Sequence, residues 1–179
     1  MGRTESVGDA RITTERLTLR PPNSRDAARI AELIDDEAVV RMLSGPPYPY
    51  FVDDARAFLD LVEAQGPARN RVFVADHPRE GLIGIVGFHT VEHPWPELGY
   101  WFGRAFWGRG YATEAARAAT AWADTVWGKR ALGSGHFHDN PASGRVLAKA
   151  GFLYTGERRL RASAARPAPV ETLMMVRLS

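Results

Sequence analysis

The chain has 179 residues, of which 45% are hydrophobic, 25% charged and 10% aromatic, and it contains no cysteine. A chain of this length buries about 70% of its unfolded surface around one core, and the missing thiols exclude disulfides, thiolate zinc sites and cysteine nucleophiles. Apolar stretches break off well short of the ~20 residues that span a bilayer, the opening MGRTESVGDA has no apolar signal core, and a formal charge of +2 spread along the chain argues against a nucleic-acid binder. A soluble cytoplasmic protein, with neither membrane nor nucleic acid among its partners, is the expectation.

Residues 1–14 are polar and read as a loose segment before a single domain over 15–179. The run ERLTLR at 15–20 alternates, with Leu17 and Leu19 on one side, and Pro21-Pro22 ends it as a first strand. Asn23 or Ser24 then caps a helix carrying Ala27, Ile30, Ala31 and Ile34 at helical spacing. SGPPYPY at 44–50 is a loop. Asp53 opens a second helix, with Ala57, Phe58, Leu61 and Val62 as the expected buried stripe, closing near Gly66-Pro67. Strands are expected over 71–75, 82–89 and 97–102. The turn Gly108-Arg109-Gly110 feeds a long helix over 111–127, whose Ala112, Ala115, Ala116, Ala119, Ala123 and Val126 form a narrow small-residue face. A strand over 131–138 leads to Asn140-Pro141, a natural N-cap and first position for a short helix that stops at Gly151. Strands over 152–157 and 170–177 follow, giving mixed α/β without regular βαβ alternation.

The richest stretch is ELGYWFGRAFWGRGYATE, residues 97–114. A strand runs through glycines straight into a helix, so the amides of Arg109, Gly110, Tyr111, Ala112 and Thr113 can converge on an anion, with the helix dipole adding attraction. Gly108 and Gly110 let bare backbone approach phosphate oxygens, and Arg109 can add charge at the rim. The alternative is a tight turn that needs glycine only for its dihedral angles. A Walker loop fails, since Arg109 replaces the lysine and Gly110 the magnesium-binding hydroxyl. A Rossmann fingerprint fails as well, with Thr113 at the third glycine position. What remains is a pyrophosphate held by amides alone.

These motifs resemble those of GNAT-superfamily N-acetyltransferases of the ribosomal-protein acetyltransferase (RimJ/RimL) type. WGRGYATEA at 107–115 resembles the acetyl-CoA pyrophosphate loop, DNPASGRVLAKAGF at 139–152 the second block, and TERLTLRPP and LGYWF two of the family's strands. Trp107 stands where the wider superfamily has glutamine or arginine. The resemblance implies a twisted, mainly antiparallel sheet of six to seven strands flanked by about four helices. It implies that this sheet splays between its fourth and fifth strands, here 97–102 and 131–138. Pantetheine would lie in the gap along the backbone of Leu98, Tyr100 and Phe102. Trp107, Gly108, Arg109, Gly110, Tyr111, Ala112 and Thr113 would hold the pyrophosphate, and Asn140, Ser143 and Lys149 complete the implied acetyl-CoA set.

Acetyl transfer needs a free amine, and deprotonating a lysine-type amine of pKa ~10.4 at pH 7 costs roughly 4.6 kcal/mol, against roughly 1.4 kcal/mol for an α-amine near 8. Glu97 is the candidate base, acting through water, as many family members imply; the alternative is an exposed strand-end charge. Ser143 is the candidate donor to the leaving thiolate, with Tyr154 as runner-up. In some ribosomal-protein acetyltransferases a later glutamate is the base, but that place falls on Ala162, with Glu157 the nearest acid. His89, His136 and Tyr50 are candidate acceptor contacts, together with His93, Tyr48 and Phe51. His136 and His138, two apart on a strand, could share a metal, yet no third ligand is evident and acetyl transfer needs none. The expected function is transfer of an acetyl group from acetyl-CoA, by direct attack, to a primary amine of a protein N terminus or small molecule. Neither a metal nor a second cofactor is expected, and the protein would act as a monomer or homodimer. The alternative is a catalytically silent acyl-CoA binding or sensing module.

Overall fold

The computed structural model describes residues 10–66, 70–90 and 95–179. Among them the chain forms, in order, β1 (Ile12–Thr13), β2 (Thr18–Arg20), α1 (Ala27–Ile34), α2 (Glu37–Val40), α3 (Val52–Gln65), β3 (Arg71–His77), β4 (Gly81–His89), β5 (Glu97–Phe102), α4 (Tyr111–Thr125), β6 (Ala131–Phe137), α5 (Pro141–Lys149), β7 (Leu153–Arg161) and β8 (Val170–Leu178). These strands make one open sheet in the order β1-β2-β3-β4-β5-β6-β8-β7, antiparallel at every junction except β5 with β6. There the parallel pairing is confined to Glu97 opposite Gly133. Beyond that point the two halves of the sheet part, at the junction where a splay was expected.

Alternation along the strands sends side chains to two cores. On one face Phe73, Val86, Phe88, Leu98 and Phe102 pack against Ala115, Ala116, Ala119 and Ala123 of α4 and Leu147 of α5. On the other, Val74, Leu82 and Ile85 meet Ala27, Ile30, Ala31 and Ile34 of α1 and Ala55 and Leu59 of α3. A bulge in β4 serves both: Ala75 faces Gly84 and Asp76 faces Leu82, so Ile83 is the extra residue and the inward and outward positions exchange.

Asn23 caps the first helical turn as expected, its Oδ1 accepting from Arg25 N–H while Asp26 accepts from Asn23 N–H. Three expectations are corrected. The buried stripe of α3 is Ala55 and Leu59 flanked by half-buried Phe58 and Val62, whereas Ala57 is exposed and Leu61 is 54% exposed. The helix meets α1 along a narrow seam, and the small Ala55 sets that seam. Val126 is 53% exposed because α4 ends at Thr125, and the apolar surface is closed instead by Trp122, stacked on Trp127 at 5.9 Å and edge-on to Phe73 at 5.2 Å. Finally, β7 runs on to Arg161 past an irregularity at Gly156, φ +83°, instead of ending at 157.

Candidate active site

Gly108 (φ +72°) and Gly110 (φ +82°) take left-handed conformations that other residues rarely adopt. Gly110 is the N-cap of α4 and has no side chain to satisfy the helix's orphan donors. The first intrahelical bond runs from Glu114 N–H to Gly110 O at 3.0 Å, and among the described residues the N–H groups from Gly108 to Thr113 donate to no protein acceptor. A fifteen-residue helix thus presents its positive end with its donors open.

A strut from the β1–β2 turn holds this cradle. Glu114 accepts from Thr14 Oγ1 at 2.6 Å, from Arg16 N–H at 2.8 Å and from Arg16 Nε at 2.8 Å, while Arg16 Nη1 donates to Arg109 O at 2.9 Å. The Arg16 guanidinium also lies 4.6 Å over the Tyr111 ring. Burial alone would raise the Glu114 pKa, but the hydrogen bonds from Thr14 and Arg16 and the Arg16 charge outweigh it and hold the carboxyl below its ordinary value. The bonus is present above the ordinary carboxylate pKa and is lost as pH falls through the lowered folded value. Glu114→Gln is therefore expected to cost about 2 kcal/mol at neutral pH, lowering the melting temperature by roughly 4–8 °C. In acid the gap between variant and parent should close, which melting curves across pH will show.

A cavity of about 520 Å³ is lined by the cradle, by β5, and by Glu97, His89 and Arg161. Gly103 N–H donates to Ile83 O at 3.0 Å, which fixes the ladder so that Leu98, Tyr100 and Phe102 turn their backbone groups toward β6. Leu98 O accepts from Ser134 Oγ at 2.8 Å, and Phe102 O accepts from the Trp107 indole at 2.7 Å. The Tyr100 amide and carbonyl face the gap where β6 has departed. The open stretch expected over Leu98, Tyr100 and Phe102 thus narrows at its carbonyls to Tyr100.

Across that gap the Tyr100 hydroxyl stands 2.7 Å from Ser143 Oγ and 3.0 Å from Ser143 O. Burial pushes the Tyr100 phenol well above its ordinary pKa, with the Ser143 hydrogen bond opposing. Asn140 caps α5 through Oδ1, which accepts from Ser143 N–H at 3.2 Å, so its amide NH₂ remains a donor beside the cavity. His136 is 5% exposed; its Nδ1 lies 2.8 Å from Phe137 O and its Nε2 3.0 Å from the Tyr154 hydroxyl. A carbonyl only accepts, so Nδ1 carries hydrogen, and in the tautomer with hydrogen on Nδ1 alone Nε2 accepts from the Tyr154 hydroxyl. A Cβ on Gly144 would fall 2.5 Å from Tyr154 Oη and 2.6 Å from His136 Nε2, so a side chain there would have to displace both rings. Tyr154 is turned to His136 and lies outside the cavity lining.

Glu97 is only 2% exposed and meets Arg161 in a two-pronged ion pair, Nη1 to Oε2 at 2.9 Å and Nη2 to Oε1 at 2.7 Å. This overturns the exposed strand-end reading. His89 lies directly opposite Glu97 in the β4–β5 ladder. Desolvation lowers the His89 pKa, with Glu97 opposing and Arg161 reinforcing, so the ring is neutral at pH 7. Val39, Met42 and Leu43 supply an apolar wall. That segment is fastened to the β7–β8 loop, Ser163 Oγ donating to Leu43 O at 2.7 Å and Arg166 Nε to Arg41 O at 2.6 Å.

The cavity therefore brings together Glu97, Leu98, Tyr100, Phe102, Trp107, Gly108, Gly110, Tyr111, Ala112, Thr113, Asn140, Ser143 and Lys149, with His89 and His136. Arg109 is exposed and lies outside the lining, its carbonyl taken up by Arg16. Tyr50 is corrected: it is 6% exposed within the α1–α3 core, its N–H donates to Asp35 Oδ1 at 2.9 Å, and burial raises its phenol to about 12. Tyr48 and Phe51 are exposed and also outside the lining. His138 lies past the end of β6, and among the described residues no three His, Asp or Glu side chains cluster to hold a metal. His93 lies outside the described residues. Sequence reasoning missed Arg161, whose run RRLR carries charge at alternating and adjacent positions and so shows no strand face. It also missed the wall after α2, because a four-residue helix is too short to display periodicity.

A family model described as an acetyltransferase (GNAT) domain matches residues 16–153. The uncharacterized N-acetyltransferase YoaA of Bacillus subtilis is 28% identical over 152 residues, covering 83% of this chain and 85% of that protein. Among solved structures, Mycobacterium smegmatis RimJ in complex with CoA-disulfide superposes with a TM-score of 0.84 at 20% identity, covering 97% of this chain and 89% of that one. The ribosomal-protein-S5-alanine acetyltransferase of Vibrio fischeri gives 0.81 at 18% identity, covering 95% and 97%. At such identities the structural likeness speaks for the fold, and the family model carries the assignment. With its helix-start cradle at the splayed sheet and more than three quarters of its length matched, this chain belongs to the GNAT acetyltransferase family and is an N-acetyltransferase.

Proposed function

We propose that the protein transfers the acetyl group of acetyl-CoA directly to a single, uncharged primary amine, with an α-amine of an amino acid or peptide N terminus as the preferred class. The observation that carries the reading is the row of open N–H groups from Gly108 to Thr113 at one side of a cavity that has Glu97 and His89 in its lining. In this reading the cradle amides hold the pyrophosphate, Trp107 and Lys149 flank it, and the Tyr100 backbone and the Asn140 amide align the pantetheine arm. Ser143 donates to the sulfur as the C–N bond forms and the C–S bond breaks. Glu97, or neutral His89 beside it, takes the amine proton through water, and His136 shapes the acceptor wall. CoA in this scheme supplies a thiol leaving group of pKa near 8.5, which needs little protonation.

The acceptor class follows from charge. Among the described lining residues Glu97 is the sole carboxylate, and Arg161 already pairs with it. A polyamine's further ammonium groups would find no acidic partner among the described lining residues. An α-amine near pKa 8 needs only a modest base. The occupied carboxylate also favours a second reading, an acyl-CoA binding module without turnover. Thiol release from acetyl-CoA, followed against amino acids, N-terminal peptides, aminosugars and polyamines, separates them. Turnover is expected with α-amines and not with polyamines. Tight CoA binding, seen as a raised melting temperature, with no turnover on any amine would establish the silent module.

A further inference from the structure

We propose that Tyr100 is a positioning residue for the transfer, its phenol donating to Ser143 Oγ so that the one hydroxyl hydrogen of Ser143 is left to point at the departing sulfur. The inference rests on the acetyl-transfer reading and adds to it a side chain that reading did not use. Tyr100 comes from β5 and Ser143 from the first turn of α5, and their hydroxyls meet at 2.7 Å inside the cavity. Two hydrogen arrangements fit. In one, the phenol donates to Ser143 O at 3.0 Å and Ser143 spends its hydrogen on the phenol oxygen. In the other, the phenol donates to Oγ and the serine hydrogen is free.

Ser143 O lies within α5, where helix geometry already supplies it with the N–H four residues on. Nothing requires the phenol hydrogen at that carbonyl. A sulfur gaining negative charge in the cavity favours the second arrangement, because a hydrogen bond to an ionised acceptor is roughly twice as strong as a neutral one. Burial of Tyr100 keeps its phenol protonated throughout the working range, so it always carries a hydrogen to donate to Oγ and never becomes a phenolate that could only accept. As the C–S bond breaks, its electron pair goes to sulfur. Ser143 holds that thiolate by a hydrogen bond, and the proton that makes the thiol is the one released by the amine.

The test has two arms, on the wild type, Tyr100→Phe, Ser143→Ala and the double variant. First, the thiol of bound CoA is titrated through the ultraviolet absorbance of its thiolate, which requires no turnover. In the wild type it should ionise below the ~8.5 of a free thiol. Tyr100→Phe and Ser143→Ala should each raise it, and the double variant should match Ser143→Ala. Glu97 with Arg161, His89, His136, Arg145 and Lys149 also line the cavity and are unchanged in all four proteins, so their influence cancels. Second, with an accepted amine, Tyr100→Phe should lower kcat about 10- to 100-fold with the KM for acetyl-CoA and the melting temperature unmoved. A wild-type thiol at its free value, a Tyr100→Phe titration identical to wild type, or losses that multiply in the double variant would each overturn the proposal. The expected titrations without turnover on any amine would instead sink the acetyl-transfer reading and leave the placement of Tyr100 standing.

Discussion

Gly110→Asp is expected to weaken acetyl-CoA binding at least about 100-fold, close to 3 kcal/mol, while the protein stays folded. The position has φ +82°, and Asp and Asn tolerate that region better than other side chains. A Cβ there would meet only the flexible end of Arg16, Nη2 at 3.3 Å. The fold therefore survives, but a carboxylate now stands beside the first-turn amides, where a diphosphate would be held by bonds of about 1.5–3 kcal/mol each. Titration calorimetry with CoA and a melting curve separate the two effects. Gly110→Asn, which adds bulk without charge, should lose less. If both variants bind CoA like the wild type, the diphosphate is held elsewhere and the cradle is only a turn.

Glu97→Gln should have the second largest effect, on rate and stability together. Gln leaves the Arg161 guanidinium without a counter-charge in a site where the Glu97 side chain is 3% exposed and that of Arg161 26%. Breaking a fully buried pair costs about 3–5 kcal/mol; the partial exposure of Arg161 brings the expectation to about 2 kcal/mol, or roughly 4–8 °C in melting temperature. At neutral pH kcat should fall about 10²- to 10⁴-fold if the carboxylate accepts the proton. The deficit should shrink as pH rises, because solvent then supplies the free amine. A deficit constant across pH would assign Glu97 to holding Arg161 and leave His89 as the acceptor of the proton.

The parts of the site that could be read along the chain are those made by neighbours in sequence. Gly108 and Gly110 announce left-handed turns, the alanines of α4 announce close packing, and Asn140-Pro141 announces a helix start; each depends on dihedral preference or spacing within a few residues. The stripe of α1 was legible for the same reason, since Ala27, Ile30, Ala31 and Ile34 all follow one helical period. The stripe of α3 was not, because two candidate faces share Phe58 and Val62, and what chooses between them is the surface of α1. Tyr50 could not be placed from its loop composition, since its burial depends on which helices close over it.

Local chemistry along the chain was sufficient to specify the order of the longer strands and helices, though not the two-residue β1 or the four-residue α2, together with the anion-ready start of α4 and the cap of α5. Each of these is a short-range consequence of steric and hydrogen-bonding preferences. The pairing of Glu97 with Arg161, of Tyr100 with Ser143, and the bracing of Arg109 by Arg16 join residues 64, 43 and 93 positions apart. No periodicity encodes such separations. They exist because β5 and β6 part after a single pairing and because the chain returns through β7 and β1–β2 to the edges of that gap, so the charges and hydroxyls that would govern the reaction were settled by packing.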